Sequence, residues 1–109
     1  MPESEERGMW HVVLFDLPVK TREQRGRATR FRLLLLDLGW AMEQYSVYVR
    51  YIPTGMSAAP EILEIRRNLP PQGKVEIVGI TDRQWSKALR FSNQELDETP
   101  VPPMQLTIF

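Results

Sequence analysis

The stretch Met9-Trp10-His11-Val12-Val13-Leu14-Phe15-Asp16-Leu17-Pro18 decides how the chain is organised. Seven of its first eight residues are apolar, aromatic or histidine, and the run then meets a carboxylate, Asp16. A short apolar run rich in β-branched and aromatic residues, stopped by proline, has the form of a strand buried on both faces. Successive side chains of a strand point to opposite sides, so Trp10, Val12 and Leu14 oppose His11, Val13 and Phe15. Both sets are largely apolar, which predicts cover on both faces of the sheet. Pro18 cannot continue a central strand, so Asp16 is held where the strand leaves the core. Two roles are open to it there: a cap on the turn into the next helix, or a functional carboxylate.

On the N-terminal side, residues 1–8 lack a hydrophobic pattern and are expected to form a disordered lead-in. On the other side, Thr21 is a fitting N-cap with Gln24 at the capping-box spacing. The helix it starts should run to about Leu38 and stop at Gly39. Ala28, Phe31, Leu35 and Leu38 form its apolar stripe, with Leu34 at the edge, while Leu33 and Leu36 fall outside and hint at a partner. Trp40 to Ile52 holds four aromatic and three β-branched residues and divides into two short strands meeting near Tyr45-Ser46. Ser57 can cap a second helix, with Pro60 in its first turn and Ile62, Ile65 and Leu69 on its buried side. Val75 to Ile80 is a further strand, Thr81-Asp82-Arg83 a turn, and Lys87 to Phe91 a short final strand.

From Ser92 the chain is polar, then proline-rich, and Met104-Gln105-Leu106-Thr107-Ile108-Phe109 is strand-like. This tail, residues 92–109, either frays or adds a strand to a sheet edge, its own or a partner's. The order over residues 9–91 is therefore β-α-β-β-α-β, the ferredoxin-like α+β pattern, with an additional C-terminal strand. Both helices then cover one face of a four-stranded antiparallel sheet. A second copy, packed sheet to sheet across a two-fold axis, would cover the other.

A chain of 109 residues makes one domain. The absence of cysteine excludes a disulfide scaffold, thiolate chemistry and cysteine-ligated zinc. The single histidine, His11, lies mid-strand, a poor place for the mobile base of a Ser-His-Asp triad. No apolar stretch approaches the ~20 residues of a membrane span, and the acidic beginning is unlike a signal peptide. A cytosolic protein with no membrane partner is expected. Formal charge is zero, but setting aside residues 1–8 and 92–109 leaves 13 of 14 basic and 8 of 14 acidic residues, a net of +5. A basic body between acidic ends predicts a polyanionic partner.

Val12-Val13-Leu14-Phe15-Asp16-Leu17-Pro18, Phe31-Arg32 with Gly39 closing the helix, and Gln44-Tyr45-Ser46-Val47-Tyr48 resemble the CRISPR-associated protein 2 family. Gly73-Lys74-Val75 and Ile80-Thr81-Asp82-Arg83-Gln84-Trp85 fit the same family, most closely its members in type II systems. The resemblance covers residues 9–91 well and the tail loosely; the acidic lead-in departs from it. It implies a ferredoxin-like homodimer that joins dimers of the CRISPR integrase protein and captures a short DNA duplex for insertion into the repeat array. It also implies, for some members, a metal-dependent nuclease whose metal ligand is the aspartate ending the first strand, here Asp16.

A scaffold for double-stranded DNA needs cations that track phosphates without reading bases. Lys20, Arg22, Arg25 and Arg27 crowd the start of the first helix, whose unpaired N–H groups add to the attraction. Arg50, Arg66, Arg67 and Arg83 are weaker candidates, since a lone surface arginine is usually just solvated. A nuclease would need Mg²⁺ or Mn²⁺, weakly held by Asp16 of both subunits. Glu43, Glu76 and Asp82 are scattered along the chain, and no spacing ties them to Asp16. The scaffold is therefore ranked above the nuclease. A regulatory domain binding a small molecule ranks last, for it explains neither the basic helix start nor the tail.

Overall fold

A computed structural model of the chain describes residues 8–97. Most of the expected lead-in, and the strand-like Met104–Phe109, lie outside the described residues. The opening stretch forms β1 (Met9–Asp16), which is an interior strand. It pairs antiparallel with β3 (Val47–Ile52) on one side and with β4 (Lys74–Thr81) on the other. The hairpin partner β2 (Ala41–Gln44) borders β3, so the sheet order is β2-β3-β1-β4. With α1 (Arg22–Asp37) after β1 and α2 (Ala59–Arg67) after β3, the order is the expected ferredoxin-like one.

Local chemistry sets the helix ends. The Thr21 hydroxyl accepts from the Gln24 N–H at 3.0 Å, and Gln24 Oε1 accepts from the Thr21 N–H at 3.0 Å, the predicted capping box. Gly39, at φ +93°, follows the C-cap Leu38 in the left-handed conformation that ends a helix. Ser57 Oγ accepts from the Ala59 N–H at 3.0 Å, opening the turn into α2.

Val13, Phe15 and Tyr48 of the sheet meet Ala28, Phe31 and Leu35 of α1 and Ile65 of α2 in one core. Phe31 stands edge-on to Phe15 with ring centres 5.1 Å apart. Each such fully buried side chain contributes roughly 1.5–3 kcal/mol. Leu33 and Leu36 stay about half exposed, as their place outside the stripe predicted.

As expected, α1 and α2 pack on one face of the sheet, the face carrying Val13 and Phe15. The opposite face presents Trp10, Val12 and Leu14 beside Val49 and Tyr51 of β3 and Val78 and Ile80 of β4. On that face Leu14 is 38 % and Val78 45 % exposed. Three expectations need correction, and they concern Leu69, Thr81–Arg83 and the final strand. Leu69 is exposed rather than buried, because α2 ends at Arg67 and the Asn68 amide turns back onto the Glu64 carbonyl at 2.8 Å. Thr81–Arg83 is not a plain turn. It opens a short helix, α3 (Asp82–Ser86), capped by Thr81 and Gln84 as α1 is by Thr21 and Gln24.

The final strand is also shorter and later than Lys87–Phe91. β5 (Phe91–Ser92) pairs only with β6 (Glu95–Leu96), in a ribbon turned by Asn93 and Gln94 at positive φ. Arg90 anchors this ribbon through Glu43 of β2 at 2.9 Å and lies over the Trp85 ring at 4.3 Å. Trp85 in turn stacks on Trp10 with centroids 4.9 Å apart, and Trp10 Nε1 donates to Asp82 Oδ1 at 2.8 Å. α3 thus roofs the Trp10 end of the open face and leaves the Leu14 end bare. Among the described residues no helix is long and apolar enough to cross a membrane.

Candidate nucleic-acid interface and carboxylate site

Three parts of the chain meet where β1 stops. Asp16 stands opposite Lys74 at the start of β4, and the β2–β3 hairpin turns alongside, with the Phe15 N–H donating to the Ser46 carbonyl at 3.1 Å. Asp16 lies on the open face, exposed. Glu76 faces Leu14 in register, so it shares that face and sits diagonally from Asp16. Leu14, Asp16, Ser46, Val47, Lys74 and Glu76 line a hollow of about 250 Å³. Asp16 and Lys74 make no ion pair with each other or with another described residue.

Gly73 makes this approach possible. Its φ is +98°, and a Cβ there would fall 2.7 Å from the Asp16 carbonyl oxygen and 3.1 Å from Leu17 Cα. Both contacts are with backbone, so neither can be relieved by rotating a side chain. Gly73→Ala is therefore expected to cost about 2 kcal/mol and to lower the melting temperature by roughly 10 °C. A thermal melt checks it; an unchanged midpoint would mean that the chain bends away freely here.

The basic helix start lies at the same end of the molecule, tied to the approach to β4 by Gln24 Nε2 donating to Gln72 Oε1 at 3.2 Å. The four candidate cations there are not equivalent. Lys20 and Arg22 are exposed and make no ion pair among the described residues. Arg25 Nη1 donates to the Val19 carbonyl at 3.2 Å and to the Lys20 carbonyl at 3.1 Å, bracing the loop before α1. Arg27 pairs with Glu23 one turn away at 3.5 Å, a surface contact that phosphate could displace at little cost. Of the weaker candidates, Arg50 is held between Glu61, at 3.3 Å, and Gly39, and Arg67 pairs with Glu64 at 3.6 Å. Arg66 and Arg83 are exposed.

His11 is at the other end of β1, across from Arg50 and Gly79 on the helix-covered face. Burial pushes its pKa below the ordinary 6.5, and Glu61 nearby opposes the shift. It is uncharged at neutral pH and takes no part at Asp16.

Sequence reasoning missed Lys74, Glu76 and the hairpin as neighbours of Asp16. Arg32 of α1 reaches the hairpin tip. Its Nε donates to the Tyr45 carbonyl at 3.3 Å, and its guanidinium carbon lies 3.8 Å from the centre of the Tyr45 ring. Among the described residues no three His, Cys, Asp or Glu side chains gather where they could hold a metal ion. Asp16 and Glu76 are the carboxylates this end of the face offers.

Residues 9–88, from the first strand through α3, match the family model described as CRISPR associated protein Cas2. The chain belongs to the Cas2 family. The CRISPR-associated endoribonuclease Cas2 of Flavobacterium psychrophilum is 39 % identical over 103 residues, covering 94 % of this chain and 90 % of the relative. That of Paracidovorax avenae is equally similar, 39 % over 103 residues, with 94 % and 95 % covered. The one from Parvibaculum lavamentivorans is 35 % identical over 101 residues, covering 93 % of this chain and 100 % of the relative. Cas2 membership makes the chain a CRISPR-associated protein, and it spans these relatives almost end to end.

Proposed function

We propose that this Cas2 chain acts in CRISPR adaptation as a homodimeric scaffold, which joins dimers of the integrase protein and holds a short DNA duplex for insertion. The observation that carries this reading is the open sheet face. A one-layer sheet with Val12, Leu14 and Val78 on its uncovered side is suited to a second copy, because an isologous contact buries the same apolar patch twice. The dimer then duplicates Lys20, Arg22, Arg25 and Arg27, giving two basic helix starts that can track phosphates on one duplex.

The test combines the purified chain with integrase protein, a short duplex and a repeat-containing target, and looks for insertion that needs this chain. Duplex binding should be indifferent to base sequence. If the dimer neutralises about eight phosphates, log K should fall against log salt with a slope of roughly −7, so a fourfold rise in salt weakens binding by about four decades. A shallow slope, or preference between unrelated duplexes, would remove the phosphate-tracking role.

A second reading, metal-dependent cleavage of RNA or DNA at Asp16, is favoured by the endoribonuclease named in the relatives. It is favoured too by Glu76 lying on the same face as Asp16. Mg²⁺ or Mn²⁺ keeps several waters and needs few protein carboxylates, so two copies contributing Asp16 could hold one weakly. Such an ion would bring Lewis-acid stabilisation of the phosphate and an activated water.

A further inference from the structure

The loop leading into α1 is tied down around Lys20 in a way that sets the neighbouring cations apart from one another. The Lys20 N–H donates to Gln24 Oε1 at 2.9 Å, and the Lys20 carbonyl accepts from Arg25 Nη1 at 3.1 Å. The same Nη1 donates to the Val19 carbonyl at 3.2 Å, and the Thr21 N–H joins that of Lys20 on Gln24 Oε1 at 3.0 Å. Gln24 is fixed in turn, its Nε2 donating to Gln72 Oε1 at 3.2 Å. Consecutive residues of the helix therefore clamp the Lys20 backbone from its amide side and its carbonyl side. The Lys20 side chain, by contrast, is exposed and makes no ion pair among the described residues.

A lysine on a slack loop must order both its backbone and its side chain when it meets a phosphate; here only the side chain remains to be ordered. Arg25 carries the same charge, but its geometry fits it to another task. Its Nη1 is already shared by two carbonyl oxygens, and swinging the guanidinium to a phosphate would strip both acceptors of their donor. We infer that Arg25 is a positioning residue for duplex binding: it holds the Val19-Lys20 peptides so that the Lys20 ammonium meets the phosphate. The inference rests on the duplex-binding reading and narrows it, because Lys20 then touches the nucleic acid and Arg25 acts through it.

The experiment follows the anisotropy of a short fluorescein-labelled duplex titrated with the full chain over a range of salt. It compares the unaltered chain, Lys20→Ala, Arg25→Met and the double variant; methionine keeps part of the arginine stem and removes the donors. Lys20→Ala should lower the salt slope by about one. Arg25→Met alone should weaken binding about fivefold, but less than about twofold where Lys20 is already alanine, since effects passing through one contact do not add. A general loss of structure would not give that pattern. In the free chain, nitrogen relaxation should show the Lys20 and Thr21 amides less ordered in Arg25→Met than in the unaltered protein. Additive losses, with the double variant giving up about two from the slope, would make Arg25 a phosphate ligand and overturn the inference. A silent Arg25→Met, a silent Lys20→Ala or unchanged amide order would overturn it as well. If the unaltered chain binds no duplex, the duplex-binding reading fails and the inference falls with it; additive losses in a chain that does bind sink the inference alone.

Discussion

If the open face joins two copies, Val12→Asp should turn that dimer into a folded monomer. Val12 sits at the middle of the open face, paired in register with Val49 on one side and Val78 on the other. In a two-fold contact the new carboxylate enters the interface twice, each time without a cation facing it across the strands. Burying an unpaired charge costs several kcal/mol. At about 3 kcal/mol for each copy, the dissociation constant rises by roughly four decades. The monomer should keep its fold, since the helix-side core of Val13, Phe31 and Leu35 is untouched. Sedimentation at matched concentrations, with circular dichroism to confirm folding, gives the answer. A variant that remains a dimer would show that another surface makes the contact, and the scaffold would lose its main support.

Asp16→Asn should separate the two functional readings by an equally large margin. The amide keeps the size of the side chain and removes the charge that a divalent ion needs. Metal-dependent cleavage of RNA or DNA should therefore fall at least about a hundredfold. Integration with the partner protein should be unaffected, because in the scaffold reading this chain supplies geometry and the partner supplies the chemistry. The dimer should persist, since Asp16 lies at the exposed end of the face rather than in its apolar middle. Both reactions are to be run on one preparation of the variant. Loss of integration, with dimer and duplex binding intact, would make Asp16 essential to the main reaction and reverse the ranking.

What could be read in the sequence was what local chemistry decides. β1, the α1 cap at Thr21 and Gln24 and the stop at Gly39 all declare themselves within a few residues, whereas the hairpin at Tyr45-Ser46 rested on the strand-forming residues around it, with no turn signal at the join. The same local signal was present at Thr81 and Gln84 and announces α3, but it was masked by a short segment that resembled a turn. Leu69 has the right spacing for the α2 stripe; it lies outside because Asn68 closes the helix on Glu64. The ribbon after Arg90 turns on Asn93 and Gln94 without a glycine, so no turn signal marked it.

The candidate site was legible only in part, since Asp16 and the cations of α1 are close in sequence. Lys74 and Glu76 become neighbours of Asp16 through the pairing register of β1 with β4, and no spacing along the chain encodes that register. Tyr45 was visible as a hairpin residue, but its fixed ring depends on Arg32, a turn and a strand away.

The interior position of β1 also bears on how the protein can be made. The ribosome delivers this strand before the other described ones, yet Met9 finds one of its partners only at Thr81 and Asp16 only at Lys74. Until β4 emerges, a stretch apolar on both sides has one edge unpaired and exposed, the situation in which nascent chains associate wrongly. Loop closure over most of the chain must be completed before the β1–β4 pairing adds its share of stability, which makes the full sheet slow to form. Folding is accordingly expected after synthesis, in a single late step. Truncations ending before Lys74 should yield insoluble product rather than a smaller stable domain.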